Sequence, residues 1–119
     1  MATLTVQDVE QGGTTFTTAT PGGSGDDFVA ADDGRHAALV YNGSSGAVVA
    51  TMAKQLSNSF QDGVGVTSLA DITHNIAAGG VAVIPVTRGY IRANDGKVEV
   101  SIDDPTSVEI AAVRLKRID

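Results

Sequence analysis

The chain reads as an all-β protein, an antiparallel β-sandwich of jelly-roll-like form with an extended N-terminal arm. Three observations carry that reading. Apolar and polar residues alternate with a period of two over many short stretches, the period of a strand with one wet and one buried face. Turn signals rich in Gly, Asn, Asp and Pro separate those stretches at short intervals. No stretch carries a convincing helical period. The expected organisation is an arm over residues 1–25, with a first short strand at 3–9, and a single sandwich domain over 26–119, roughly seven or eight strands in all.

The last third is the most regular part. Ala77-Ala78-Gly79-Gly80 is a turn, and the β-branched run Val81 to Ile84 follows it. Pro85 closes that run, because it has no N–H for a central ladder. Asn94-Asp95-Gly96 is a strong hairpin signal, since Asn and Gly tolerate the positive φ of such turns. Lys97 to Ile102 then alternates without a break, Asp103-Asp104-Pro105-Thr106 turns the chain, and Val108 to Leu115 runs back. These three strands are expected to build one sheet that the upstream residues complete. In the last of them Val108 and Ile110 are in one phase, Val113 and Leu115 in the other. Either a β-bulge inserts a residue there, or both faces are buried, one by the core and one by a neighbouring subunit.

Upstream, Thr3 to Val9 sets Leu4 and Val6 against Thr3, Thr5 and Gln7, a short alternating strand. Glu10 to Gly25 is rich in threonine and glycine, and Phe16 is its only large apolar group. Such a segment buries too little to offset chain entropy by itself. It reads either as a loop or as an arm that orders by strand addition to a partner. Asp26, Asp27, Asp32 and Asp33 bracket a short apolar piece. Four carboxylates could hold Ca²⁺, but their spacing does not match the helix-loop-helix calcium pattern, and a solvated acidic loop is the plainer reading.

Arg35 to Asn42 puts Ala37, Leu39 and Tyr41 on one face and His36, Ala38 and Val40 on the other. Asn42 to Gly46 reads as a hairpin connection to a partner strand over Ala47 to Ala53. Both strands are apolar or small on both faces, as for a covered central strand or a surface buried by another chain. Lys54 to Gly65 reads as a long loop, with at most one helical turn from the spacing of Met52, Leu56 and Phe60. Val66 to Ile76 is extended again. His74 lies on its apolar face and reads as a hydrogen-bonded core histidine. Arg114, Lys116 and Arg117 make a basic end, either a solvated tail or a contact for an acidic partner surface.

Composition narrows the function classes. The chain has 119 residues, the size of one domain, and a net charge of −6. That charge argues against a nucleic-acid backbone or an anionic membrane as partner. Without cysteine there is no disulfide or thiolate metal site. No apolar run approaches a membrane helix and no signal-peptide pattern is present, so the chain is expected to be made and used without crossing a membrane. Five aromatic residues and no Trp argue against stacking on sugars. There is no nucleophile elbow, phosphate loop or histidine-rich ligand spacing. Binding and assembly remain, with neither an enzyme activity nor a cofactor expected.

Several segments carry a resemblance. Ala2 to Asp8, the turn Ala77 to Gly80 with the run ending at Ile84-Pro85, Tyr90 with Asn94-Asp95-Gly96, the Val98/Val100 strand and Val108 to Leu115 are similar to the corresponding parts of small head proteins of tailed viruses. Arg35 to Lys54 fits loosely, and Gln55 to Leu69 has no counterpart. The chain thus resembles the capsid decoration proteins. That resemblance implies a non-catalytic virion protein, made in the host cytoplasm and placed on the outer surface of the capsid. It would clamp major capsid proteins as a homo-oligomer, a trimer being favoured. On this reading Leu4, Val6 and Phe16 of the arm meet the capsid, and Val113 and Leu115 pack between subunits. The alternatives are a tail- or surface-associated β-domain binding a host receptor or glycan, and a metal-dependent module using Asp26 to Asp33.

Overall fold

The computed structural model describes residues 2–55 and 69–115 in full and the backbone of 58–61 and 65–68. The protein is all-β with almost no helix. Its strands are β1 (Ala2–Thr3), β2 (Val6–Val9), β3 (Asp26–Val29), β4 (His36–Asn42), β5 (Val48–Met52), β6 (Asn58–Gln61), β7 (Gly65–Ser68), β8 (Ile72–Ile76), β9 (Val81–Pro85), β10 (Lys97–Ile102) and β11 (Val108–Leu115). A single 3₁₀ turn spans Arg88–Tyr90 among the described residues.

Two mixed sheets share one core, an arrangement compatible with a β-sandwich. The first, sheet A, runs β1-β3-β10-β5-β8, and the second, sheet B, runs β2-β11-β4-β9. Phe28, Ala50, Met52, Val98 and Val100 point inward from sheet A, and Ala38, Val40, Ile84, Val108, Ile110 and Ala112 from sheet B. The ladders are antiparallel except at one side. There β1 runs parallel to β3 and β2 parallel to β11, which departs from the purely antiparallel expectation. β6 lies where the sequence predicts a loop and pairs with β7, Asn58 opposite Ser68, which falls in the stretch read as extended. The expected helical turn involves Leu56, which lies outside the described residues, as do Lys116 and Arg117 of the basic end.

Apart from β5 and β8, which share sheet A and flank the β6–β7 pair, successive strands alternate between the two sheets, and two expected pairings fail for that reason. β4 and β5 do not form a hairpin: β4 bonds β11 and β9, while β5 bonds β10 and β8. Asn42 explains the departure. It is fully buried, and its Nδ2 donates to the carbonyls of Gly46 and Ile76 at 2.8 and 2.9 Å. Its Oδ1 accepts from the backbone N and the hydroxyl of Ser44 at 3.0 and 2.6 Å. One side chain thus satisfies a loop that carries the chain from one sheet to the other. Likewise, β9 and β11 lie in sheet B and β10 in sheet A, so the last three strands do not share a sheet. The Asn94-Asp95-Gly96 turn does form. Gly96 adopts φ +70°, and Arg92 and Lys97 are joined across the turn by a 2.8 Å bond from Arg92 N to Lys97 O. It returns the chain from the 3₁₀ turn, however, and not from a strand.

The phase change in β11 is not a bulge. Its register against β4 is unbroken from Val108 opposite Asn42 to Arg114 opposite His36. Both faces are buried instead. Val108, Ile110 and Ala112 face the core, while Ala111 and Val113 lie on the opposite face with Ala37, beneath Phe16, Val9 and Leu39. The second cover belongs to the same chain.

Residues 2–19 therefore do not extend as an arm. β1 joins sheet A, β2 joins sheet B, and Leu4 N donates to Asp27 O at 2.7 Å between them. Beyond β2, Ala19 exchanges backbone bonds with Ile110 at 2.9 and 2.8 Å, taking the place on β11 that β2 leaves open. The Gln7 side-chain amide bonds Thr17 N and O, each at 2.8 Å, imitating a strand pair. These long-range bonds supply the partners that the threonine-rich composition lacks locally.

Two outcomes test this architecture. Phe28→Ala, at a fully buried position, is expected to cost about 3–5 kcal/mol in urea unfolding. Deleting residues 2–20 is expected to lower the melting temperature by more than about 5 °C, since it uncovers β3, β11 and Val113. A truncated domain with the full-length melting temperature would contradict the intramolecular role of the segment.

Candidate functional site

The two sheets present different outer faces. On sheet A the outward positions include Asp27, Lys97, Glu99, Ser101, Val49 and Thr51. The turn at Gly96 sets the Arg92 guanidinium over this face. It bonds Asp95 through Nε and Nη2 at 2.9 and 2.8 Å, contacts Glu99 through Nη1, and lies 3.6 Å from Asp27 Oδ2. The Asp95 hydrogen bonds push the guanidinium above its ordinary value, and Arg92 in turn holds Asp95 below the usual carboxylate range. Thr3 Oγ1 donates to Asp27 Oδ1 at 2.6 Å. The cluster is an ionic clasp that fastens β1 to its sheet, with an arginine occupying the space between its carboxylates.

The four candidate metal ligands are not brought together. Asp26 and Asp27 open β3 and are buried, 1% and 7% exposed, which corrects the expectation of a solvated acidic loop. They tolerate burial because Gly22 N donates to Asp26 Oδ2 at 3.0 Å, and Thr3 and Arg92 serve Asp27. Asp32 and Asp33 lie beyond the other end of the strand and are exposed. Asp33 Oδ1 accepts from Arg35 N and pairs with His36 Nδ1, both at 2.9 Å, and Asp33 Oδ2 meets Arg35 Nη2 at 3.2 Å. Among the described residues no three His, Asp or Glu side chains are grouped to hold a metal ion. The expectation of His74 as a core histidine is not met: it is exposed on the sheet A edge strand β8, between Ile72 and Ile76, which do contact the core, whereas His36 is 8% exposed in sheet B.

The β4–β9 half of sheet B has an apolar outer face, bordered on β11 by Glu109, which stands opposite Tyr41. Cross-strand register aligns Tyr41 with Val81 and Leu39 with Val83. Tyr41 is 39% exposed, Val81 62% and Val83 58%. Of the five residues assigned to contacts from the sequence, Leu4 and Val6 pack on the main core, and Phe16 covers Val113, itself only 7% exposed. Leu115, 55% exposed, is the one that keeps a large free surface. Tyr41, Val81 and Val83 were not singled out by sequence. The signal for them is that Val81 to Ile84 is apolar at every position yet ends in Pro85, the mark of an edge strand with no polar face.

Concave surfaces add little chemistry. A groove of about 500 Å³ is lined by Ala30, Ala31, Asp32, Arg88, Ile91 and Ala93. A second, of about 430 Å³, lies between the N-terminal strands and Thr17 to Ala19. Neither brings a hydroxyl or carboxylate to a histidine. The apolar outer face of sheet B is thus the feature that the fold itself leaves unexplained. Comparison with protein-family models, with curated proteins and with solved structures found no match.

The Asp33 pairing has a pH signature. Its hydrogen bond with His36, and then that from Arg35 N, hold its carboxyl at about 2. A lowered carboxylate contributes stability above its unfolded value of about 4 and loses it as pH falls through the folded one. Asp33→Asn is therefore expected to lower the urea midpoint at pH 7, with the difference from the parent chain shrinking between about pH 4 and 2. An equal difference at both ends of that window would contradict the pairing.

Proposed function

We propose that this chain is a structural protein of a tailed-virus head, decorating the outside of the capsid and bridging neighbouring major capsid proteins as a homo-oligomer. The observation that carries the reading is the outer face of sheet B. There Tyr41, Val81, Val83 and Leu115 remain exposed on a sheet whose other face is fully committed to the core. Apolar surface displayed on rigid strands is what a lattice contact requires. The segments that resemble decoration proteins supply β2, β9 and β11, three of the four strands of sheet B, together with β1 and β10. A jelly-roll-like arrangement of the two sheets is part of the same reading.

In this role sheet B faces the shell and sheet A, with its clasp around Arg92, faces solvent. The net charge of −6 suits an outer position, since packaged DNA repels an acidic chain. The work done is burial of apolar area across capsomer boundaries, where weak contacts repeated over a lattice multiply. The contact set moves accordingly. Leu4, Val6 and Phe16 hold the chain's own sheets together, and Tyr41 and its neighbours meet the shell.

Co-sedimentation with heads lacking their decoration protein tests the proposal. Saturable binding is expected, weakened at least about tenfold by Tyr41→Lys, as for an aromatic anchor near an interface centre. Undiminished binding by that variant would contradict the assignment of the face. Binding to host cells or glycans without saturable binding to shells would favour a receptor-binding β-domain instead.

A further inference from the structure

β9 is the outer strand of sheet B, and its hydrogen-bond pattern identifies which of its groups are free. Asn42 N donates to Gly80 O and Val86 N to His36 O, each at 2.9 Å. Antiparallel ladders bond alternate residue pairs, and the register continues these two through Val40 with Ala82 and Ala38 with Ile84. Gly80, Ala82, Ile84 and Val86 thus aim their backbone polar groups at β4. Val81, Val83 and Pro85 aim theirs away from the sheet, where no bond to a described residue reaches them. The same residues carry the exposed side chains, while Ala82 and Ile84 are buried.

We propose that β9 pairs antiparallel with β9 of a second copy, so that sheet B continues through both subunits. With Val81 opposite the partner's Val83, each copy supplies two N–H donors and two carbonyl acceptors. Four N–H···O bonds form, and every outward group of both valines is used. The next outward residue is Pro85, which has no N–H and ends the ladder there. Two Val–Val cross-strand pairs then form on the outer face, a favourable combination. A register shifted to set Val81 opposite the partner's Pro85 also forms four bonds, but only one of its cross-strand pairs is valine with valine, against two in the unshifted register.

A second copy fits this edge because the two donors and two acceptors of Val81 and Val83 are their own complement about a two-fold axis, with the Pro85 carbonyl lying beyond them. Charge points the same way. Val81 to Pro85 contains no charged residue, so no like charge on β9 itself opposes the approach of two chains of net charge −6. Of the usual protections of a sheet edge, β9 has Pro85 at its end but no inward charge, lysine or bulge. The edge strand of sheet A, β8, carries Thr73, His74 and Asn75 instead. The two-fold axis leaves the outer faces of both copies on one side, where they make a single enlarged apolar surface. The pairing is independent of what that surface binds.

Sedimentation velocity of the full chain across a concentration series, combined with amide exchange, tests the pairing. A reversible monomer–dimer equilibrium is expected, tightening as salt screens the like charges. Val81 and Val83 amides should gain protection with concentration, while those of Ala82 and Ile84 stay constant. Val83→Lys should raise the dimer dissociation constant more than tenfold, and Val83→Pro, which removes only an outward N–H, should do the same. Thr73→Lys on β8 should leave it unchanged. A chain monomeric at every concentration, or a dimer or trimer indifferent to both Val83 variants, overturns the pairing whatever the outcome of the shell-binding assay.

Discussion

The structure depends on the middle of β11, Ile110 to Val113, being enclosed on all four sides. Its backbone bonds β4 along one edge, and β2 and then Ala19 along the other. Its inner face lies in the main core, and its outer face lies under Phe16 and Val9. A strand of such small and β-branched residues has no polar face to give to water, so each side needs a partner. The N-terminal segment provides two of the four. This is why residues 2–19 fold back on the chain although they hold few apolar groups of their own.

The same enclosure makes the two outer faces unequal. Sheet A ends in an ion-pair network in which Arg92 faces Asp95, Glu99 and the buried Asp27. Sheet B is sealed by Phe16 over its β11 half and left apolar over its β4–β9 half. Burying an exposed valine or tyrosine contributes about 1.5–3 kcal/mol at most. One copy therefore gains little from hiding Tyr41, Val81 and Val83, while an array of copies held in register gains much more. The free backbone groups of β9 stand beside that strip, so edge and face offer two different kinds of contact at one border of the sheet.

Much of the strand content was legible from sequence. The alternation in Lys97 to Ile102, the face division of His36 to Asn42, and the turns at Gly79 and Gly96 all follow from period and turn chemistry. Pairing was not legible. Asn42 to Gly46 has the composition of a hairpin loop, and only the buried bonds of the Asn42 side chain reveal a crossing between sheets. The two phases of β11 allowed a bulge or a second cover, and the choice rests on Phe16, which is distant in sequence. Asp26 and Asp27 looked solvated because their partners, Gly22, Thr3 and Arg92, come from three separate segments. The apolar strip was half legible: Tyr41 and Leu39 were placed together on one face, but the neighbour that aligns Val81 and Val83 with them is a matter of register.

An image reconstruction of heads assembled with this chain tests the central claim most directly. The outer face of sheet B, with Tyr41, Val81 and Val83, is expected to lie against the shell, and the Arg92 clasp of sheet A to face outward. Density with sheet B turned to solvent, or with contacts confined to the sheet A face, would contradict it.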